Sequence, residues 1–437
     1  MTGGPIATAT DGSKVVCNLP LLLGTPGTRT LPAERPPSHI NIMATRYWDL
    51  TYTVAGYRAT GVPLVALEGQ AFGPSAGLDD AGSFFLIPQV ARLLGLSVAQ
   101  AIDLFYGSLL TFALLAGTWG FLLLFRAWSI RALMFLGLLA LSAISYKVGD
   151  VYILFFVAAA VTVPWGLVLA RGGSRGWSSA VGFAFLGATI GLANAVRSHA
   201  GTAALIFLVG ILFFQLAAGT QRKFVLLLCL VAGMLLPKLL FSRVMAQRDA
   251  FLAAHCPDYK GLSGQHIFWH SVYIGLGYLQ NDYGIRWNDG VSYDKVQSIA
   301  PATAFGSAEY EQILRGEVLQ LARRHPVFVA LTLASKAGVL ICVFLFCANV
   351  GLLAAVKYPK PWPVELSFWA AIAFSSLFGL LVVPLPAYLL GLVSFAALYG
   401  MVSVGYAFKS RSVTDVRGQS VKLPLYQADS PVVAVQH

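Results

Sequence analysis

The sequence predicts an all-α polytopic membrane protein, and two observations lead to this fold class. Of its 437 residues, 57% are hydrophobic and only 11% are charged, whereas ordinary soluble domains have roughly 25% charged residues. Apolar stretches recur from Phe105 to the neighbourhood of Phe408, and each is close to the roughly 20 residues of helix that cross about 30 Å of hydrocarbon. One helical membrane domain therefore accounts for most of the chain.

About nine membrane-spanning helices are predicted, connected by loops of alternating character. They cover residues 105–125, 132–146, 151–170, 178–195, 202–219, 224–243, 337–356, 365–384 and 387–407. If the segments simply alternate, Arg126, Arg171 and Lys357 fall on one side, which the positive-inside rule assigns to the cytoplasm. The other side receives two larger extracytoplasmic loops, 45–103 and 244–325, in which we expect short interfacial helices.

Three regions follow from this arrangement. Residues 1–44 form a Pro/Gly-rich leader that is disordered or atypical, residues 45–408 form the membrane domain, and residues 409–437 form a cytoplasmic tail. An odd number of spans places the N-terminus outside, yet the leader has no apolar segment long enough to cross the membrane. We therefore expect that a first helix is missing from the chain; the alternative is that the N-terminus is translocated without one.

Charge and cysteine content restrict the partners. The formal net charge is +11, and we attribute this excess to cytoplasmic loops beside a lipid bilayer, so that nucleic acid is not expected as a partner. The five cysteines form no CxxC pair and predict no disulfide framework.

Three carboxylates are candidates for catalysis. Asp79 and Asp80 are adjacent in "GLDDAGSFFLIP", and Asp150 lies between two apolar segments in "SYKVGDVYILFF". A carboxylate can take the proton of a sugar hydroxyl, and repulsion between adjacent carboxylates raises the pKa of one of them. The alternative is that Asp80 and Asp150 cap helices. The oxygens of the same three carboxylates could also coordinate Mg²⁺ or Mn²⁺, although the sequence requires no cofactor.

Four basic side chains are candidates for binding a phosphate. Arg197 and His199 lie together in "NAVRSHAG", and a guanidinium can hold a phosphate by paired hydrogen bonds. Lys238 and Lys336 are weaker candidates near the outer ends of other segments. For each of them the alternative is snorkelling of a long side chain to lipid headgroups.

A polar and aromatic stretch in the second loop suits a carbohydrate. In "FWHSVYIGLGYLQNDYGIRWND" the candidate sugar- or acceptor-binding residues are His270, Tyr273, Asn281, Tyr283, Trp287 and Asp289. An interfacial belt of Trp and Tyr is the alternative, but such a belt does not require the accompanying Asn, Asp and Gly. Behind this stretch, Ser307 is a suitable N-cap for an amphipathic helix.

Together these segments, with "EYEQILRGEVLQLARRHPVF" behind them, resemble bacterial membrane glycosyltransferases of the GT-C superfamily over residues 45 to about 400. The resemblance implies a transferase of the bacterial inner membrane that moves a sugar from a polyprenyl-phosphate donor to an acceptor hydroxyl at the extracytoplasmic face, with inversion. It places the general base on Asp79 or Asp80, a second acidic group on Asp150, and the donor phosphate on Arg197 and His199. The chain departs from the family in lacking the usual first helix, and the acceptor is not indicated.

Two other functions are considered. A transporter or flippase for a glycolipid or polyprenyl lipid should carry ionisable groups near the membrane midplane, whereas the predicted helices are nearly free of carboxylates. A non-catalytic membrane assembly factor would tolerate the loss of the acidic residues.

Overall fold

The computed structural model describes residues 16–17, 41–69, 71–75, 80–171, 176–256, 259 and 267–415. Most of the predicted leader and residues 416–437 of the predicted tail therefore lie outside the described residues. The helices are α1 (Ala44–Thr60), α2 (Ala81–Leu93), α3 (Val98–Leu124), α4 (Trp128–Val148), α5 (Ile153–Arg171), α6 (Trp177–Val196), α7 (Thr202–Gly210), α8 (Thr220–His255), α9 (Phe268–Gly275), α10 (Asp289–Ile299), α11 (Ala308–Arg324), α12 (Pro326–Ala348), α13 (Val350–Lys357), α14 (Trp362–Leu377) and α15 (Pro386–Asp415). Short 3₁₀ turns (Asp150–Tyr152, Leu276–Tyr278) and π turns (Ile211–Gln215, Phe378–Val382) adjoin α5, α9, α7 and α14.

The predicted all-α polytopic membrane fold is confirmed. Within the described ranges, eight helices are long and apolar enough to cross a membrane: Val98–Leu124, Trp128–Val148, Asp150–Arg171, Trp177–Val196, Thr220–His255, Pro326–Ala348, Trp362–Val382 and Pro386–Lys409. The remaining predicted segment, 202–219, is a shorter apolar helix over Thr202–Gln215. The predicted segment 337–356 has wrong boundaries, because α12 begins at Pro326 and the left-handed backbone of Asn349 (φ 43°) ends it.

Glycine allows neighbouring helices to approach closely. At Gly187 on α6 a Cβ atom would lie 2.0 Å from the carbonyl oxygen of Leu230, and at Gly233 on α8 it would lie 2.0 Å from that of Ala184. Small residues of this kind let helix backbones touch where lipid offers no hydrophobic driving force. The most enclosed helix is α5, whose residues Phe156 and Ala158 are fully buried.

The two larger loops contain short elements of their own, and the first of them is joined by a strand from the leader. A three-stranded sheet of β1 (Val16–Cys17), β2 (Val65–Glu68) and β3 (Ala71–Pro74) has the order β1-β3-β2, with β2 antiparallel and β1 parallel to β3. In the second loop α9, α10 and α11 pack around Tyr310 and Leu314. The predicted N-cap is confirmed, since Ser307 Oγ accepts a hydrogen bond of 3.2 Å from the Tyr310 backbone N–H.

The two ends of the membrane helices differ in chemistry. At one end, basic side chains donate to helix-terminal carbonyl oxygens: Arg171 to Leu124 (2.6 Å) and Lys223 to Phe213 (2.7 Å). We call this the basic end. The opposite, acidic end carries Asp80 and Asp150.

One cysteine forms a disulfide that the sequence did not predict. Cys256, directly after α8, is disulfide-bonded, whereas the spacing of the cysteines predicted no disulfide framework. Spacing did not reveal it because a pairing between distant segments depends on the fold. The α8 helix begins at the basic end, where Arg222 donates to Gly176 (3.4 Å), so Cys256 belongs to the acidic end.

Candidate functional site

Four charged side chains meet at the acidic end of the membrane domain. Arg46 comes from the first turn of α1, Asp80 precedes α2, Asp150 precedes α5 and Arg197 follows α6. Arg46 bridges both carboxylates: its Nη1 pairs with Asp80 Oδ2, and its Nε lies 2.8 Å from Asp150 Oδ1. Arg197 Nη1 lies 2.9 Å from Asp80 Oδ1. We call these four residues the charged cluster.

Asp80 occupies the N-cap position of α2, but its side chain accepts no capping hydrogen bond. Its two carboxylate oxygens contact Arg46 and Arg197 instead. Burial would raise the pKa of the Asp80 carboxyl group, but the charges of the two guanidinium groups lower it below its ordinary value. A raised pKa was expected for one of the adjacent carboxylates, and Asp80 is not that one, because two cations contact it. Asp79 lies outside the described residues.

Asp150 contacts both a backbone N–H and an arginine. Its Oδ1 accepts a hydrogen bond of 2.7 Å from the Val151 backbone N–H, and the same carboxylate contacts Arg46. Asp150 has a left-handed backbone (φ 56°), as does Gly149 (φ 69°), where a Cβ atom would lie 2.1 Å from the Asn41 carbonyl oxygen. Strained backbone of this kind is maintained only by the surrounding structure and is frequent at functional sites.

Arg197 is oriented by the protein. Its side chain is only 17% exposed, it pairs with Asp80, and its guanidinium carbon lies 5.0 Å from the centre of the Tyr152 ring. Contacts with Asp80 and Tyr152 inside the protein do not fit the snorkelling alternative. His199 also has a left-handed backbone (φ 65°), and its ring centre lies 6.3 Å from that of Phe378.

The two predicted lysines are not joined to the charged cluster by any contact among the described residues. Lys238 is exposed on α8. Lys336 is fully buried on α12, donates a hydrogen bond of 2.8 Å to the Val382 carbonyl oxygen, and lies 6.0 Å from the Tyr278 ring centre.

Aromatic contacts connect the second loop to the charged cluster. Tyr388 on α15 contacts both Tyr152 (ring centres 5.4 Å apart) and Trp287 (6.0 Å). Tyr152 in turn lies against the guanidinium group of Arg197. Among the predicted carbohydrate-binding residues, Trp287 is therefore the one that aromatic contacts connect to the charged cluster.

The other predicted carbohydrate residues separate into different places. Tyr273 and Tyr283 line a cavity of about 220 Å³ together with Arg324 and His325. The amide group of Asn281 serves its own turn, donating to the carbonyl oxygens of Leu279 and Ile285 (both 2.9 Å).

His270 lies in a buried hydrogen-bonded network. Its Nδ1 is 2.8 Å from both Tyr310 Oη and Ser292 Oγ, and its Nε2 is 3.0 Å from Asp289 Oδ1. The hydrogen bond with His270 lowers the pKa of Asp289, against the opposing effect of burial. These are the groups of a nucleophilic triad, but Ser292 is fully buried, so the network instead fastens α9, α10 and α11 together.

An apolar groove of about 350 Å³ lies directly along the helices that carry the cluster. Phe85 is five residues after Asp80, Leu154 is four after Asp150, and Ala193 is four before Arg197, so each lies about one helical turn from a charged residue. The groove is also lined by Leu109, Leu236 and Phe241. The helices α2, α5 and α6, which adjoin the charged residues, therefore also line the groove.

Asp80 and Asp150 do not fit a shared Mg²⁺ or Mn²⁺ ion. Within the described ranges, no three His, Cys, Asp or Glu side chains converge. The guanidinium group of Arg46 lies between Asp80 and Asp150, where a shared cation would have to bind.

Sequence reasoning missed Arg46, Tyr152 and Tyr388. Nothing in the sequence marked Arg46, because its ion pairs join segments that are distant along the chain. Tyr152 and Tyr388 adjoin apolar segments, and their contacts with Arg197 and Trp287 depend on the fold.

Comparisons of the chain with family models, with curated proteins and with solved structures found no match. The charged cluster and the adjoining groove are therefore the basis for the function proposed next.

Proposed function

We propose that the protein is a GT-C-like glycosyltransferase that moves a sugar from a polyprenyl-phosphate donor to an acceptor hydroxyl. The observation that carries this proposal is the apolar groove whose lining residues Phe85, Leu154 and Ala193 lie about one helical turn from the charged cluster. A polyprenyl-phosphate sugar has the same order of parts: a long apolar chain, an anionic phosphate and a polar sugar. The groove would hold the chain beside α2, α5 and α6, with the phosphate at the arginines.

The chemistry needs a base and a cationic group. A carboxylate, Asp80 or Asp150, takes the proton of the acceptor hydroxyl; the acceptor oxygen bonds to the anomeric carbon; and the bond from that carbon to the phosphate oxygen breaks, its electron pair leaving with the phosphate. Arg197 stabilises the negative charge on the departing phosphate. Attack from the face opposite the phosphate inverts the anomeric centre.

The donor itself would activate the base. In the structure Arg197 and Arg46 both contact Asp80 and lower its pKa, so that Asp80 is a weak base. A phosphate that attracts Arg197 would weaken this contact and raise the pKa of Asp80 toward its ordinary value. Proton abstraction would then become efficient after the donor has bound.

Two observations support an extracytoplasmic active face on the bacterial inner membrane. The opposite end carries Arg171 and Lys223, as cytoplasmic ends do. Cys256 at the acidic end is disulfide-bonded, and disulfides persist in oxidising compartments outside the cytoplasm. With this orientation α15 runs from the active face to a cytoplasmic C-terminus.

The buried Lys336 could instead suggest a transporter, since a cation beside an interrupted helix is a feature of transport sites. Its Nζ, however, donates to Val382, the last residue of the Trp362–Val382 helix. The ammonium group therefore lies near an end of the membrane domain, which favours the transferase. An assembly factor without catalytic activity gives no reason for a buried cluster beside a groove.

The test is transfer of labelled sugar by the purified full chain in liposomes, with a panel of polyprenyl-phosphate hexoses and pentoses as donors and alkyl glycosides as acceptors. We expect Asp80→Asn or Asp150→Asn, whichever removes the base, to lower the rate at least about 100-fold. Asp282→Asn is the control, because Asp282 is exposed in the second loop. Turnover of no donor by the parent, or equal rates in the parent and both variants, would contradict the proposal.

A further inference from the structure

We propose that the Tyr106 hydroxyl donates a hydrogen bond to a sugar hydroxyl bound at the charged cluster, which makes Tyr106 a contact residue for the carbohydrate. This inference rests on the proposed glycosyltransferase function and assigns a ligand-binding role to a residue that neither the motifs nor the ion pairs indicated.

The hydroxyl oxygen of Tyr106 is buried, and no described residue forms a hydrogen bond with it. The residue is only 6% exposed, and its hydroxyl oxygen has no hydrogen-bond partner among the described residues. A buried hydroxyl without a partner destabilises a protein, so that native structures seldom keep one without a reason. A ligand oxygen that enters the site would supply the missing acceptor.

The hydroxyl lies within electrostatic range of the charged cluster. The charges that act on it most strongly are those of Asp150, Arg46 and Asp80, in that order. On the same helix, Leu109 follows Tyr106 by less than one turn and lines the apolar groove. Tyr106 therefore lies where the groove meets the charges, which is where the sugar of a lipid-linked donor and its acceptor would meet.

The charge balance favours a neutral hydroxyl as the partner. Asp150 pairs with Arg46, which also pairs with Asp80, so this part of the site carries no excess positive charge that would attract a phosphate, whose proposed partner is Arg197. A sugar hydroxyl can accept from Tyr106 and donate to a carboxylate at the same time, which a phosphate oxygen cannot do. That pair of bonds would orient the hydroxyl toward the carboxylate.

Tyr106→Phe tests the inference because it removes only the hydroxyl group. Unfolding temperature and binding would be measured on the purified full chain with three probes: polyprenyl phosphate, polyprenyl phosphate carrying one hexose or pentose, and octyl glycosides. We expect the variant to unfold at the same temperature as the parent or higher without ligand, and to bind a sugar-containing probe about three- to tenfold more weakly. A loss confined to the lipid-linked sugar identifies the donor sugar; a loss confined to the glycosides identifies the acceptor.

Thr118→Val is the matched control. Thr118 Oγ1 is also buried without a partner among the described residues, and it lies on α3 twelve residues beyond Tyr106, about 18 Å along the helix. Its removal should leave binding of all probes unchanged.

Three results would overturn the inference. A lower unfolding temperature for Tyr106→Phe would mean that the hydroxyl already has a partner in the free protein. Equal binding of sugar-containing probes by the parent and the variant would contradict the role of Tyr106 alone. Failure of the parent to bind any probe would contradict the glycosyltransferase proposal and this inference with it.

Discussion

At the scale of single residues, Arg46 and Arg197 determine the chemistry of Asp80. Both guanidinium groups contact a carboxylate whose side chain is 7% exposed, and removing one partner of an ion pair buried in this way leaves the other charge uncompensated. The two cations keep Asp80 ionised at neutral pH while they lower its basicity. The resting site is therefore electrically balanced, and a bound phosphate would disturb that balance.

This coupling predicts the pH dependence of stability. Because the folded protein lowers the pKa of Asp80, its ionised form contributes stability above the unfolded-state value of about 3.9, and this contribution is lost as the pH falls through the folded-state pKa. We expect Asp80→Asn to lower the free energy of unfolding by about 3 kcal/mol at pH 7. The difference from the parent should shrink below about pH 4.

Denaturant unfolding in detergent between pH 3 and 7 measures the free energy of unfolding of Asp80→Asn and of the parent at each pH. Asp294→Asn serves as the control, since Asp294 is exposed on α10 and its replacement should have little effect at any pH. A difference between Asp80→Asn and the parent that stays constant over this range would show that the charge of Asp80 is not what stabilises the folded state.

At the scale of elements, the approach of α2 to α6 brings Asp80 to Arg197. A Cβ atom at Gly82 would lie 2.5 Å from the Ala195 carbonyl oxygen and 2.8 Å from the Val196 Cα. Since both contacts are with backbone, only glycine permits this distance between the helices. The cluster thus depends on a residue that carries no functional group.

Gly82→Ala should therefore separate the two helices. We expect a loss of about 1–3 kcal/mol in the free energy of unfolding, together with lower transfer activity as Asp80 moves from Arg197. Gly338→Ala is the matched control: it lies in α12 with nothing within 4 Å of the added Cβ, so it should be neutral or slightly stabilising. If the two variants unfold alike, the close packing of α2 on α6 is not required.

The helices were predictable because a membrane imposes a length and an apolar composition on each segment that crosses it. The ends of the helices were harder to predict. The α12 helix, for example, ends at Asn349 because the backbone there is left-handed, which apolar composition does not reveal. The N-cap at Ser307 could be recognised because a cap depends on neighbouring residues alone.

At the scale of the whole molecule, the charged cluster is assembled from four distant parts of the chain. Asp80, Asp150 and Arg197 could each be selected from the sequence, because a charge beside an apolar segment is conspicuous. The ion pairs of Arg46 with Asp80 and Asp150 could not be predicted from the sequence, since they depend on how α1 packs against the membrane domain. Tyr106 was hidden for the same reason.

The placement of the other candidates also depended on tertiary structure. His270 and Asn281 have side chains that suit a carbohydrate, yet their hydrogen bonds serve the second loop itself. Trp287 differs because Tyr388 connects it to Tyr152 and hence to Arg197. The composition of the second loop identified it as a candidate binding region. Only the folded structure shows which of its residues stabilise the loop and which lie near the charged cluster.

The central claim is that the charged cluster and the apolar groove form one site for a lipid-linked phosphate. Photo-crosslinking with a polyprenyl phosphate that carries a diazirine near its phosphate, followed by mass spectrometry of the peptides, tests it directly. We expect labelling of the peptides that contain Phe85, Leu154 and Ala193, competition by unlabelled polyprenyl phosphate, and weaker labelling in Arg197→Gln. Labelling spread over the exposed faces of the helices, without competition and unchanged in Arg197→Gln, would contradict the claim.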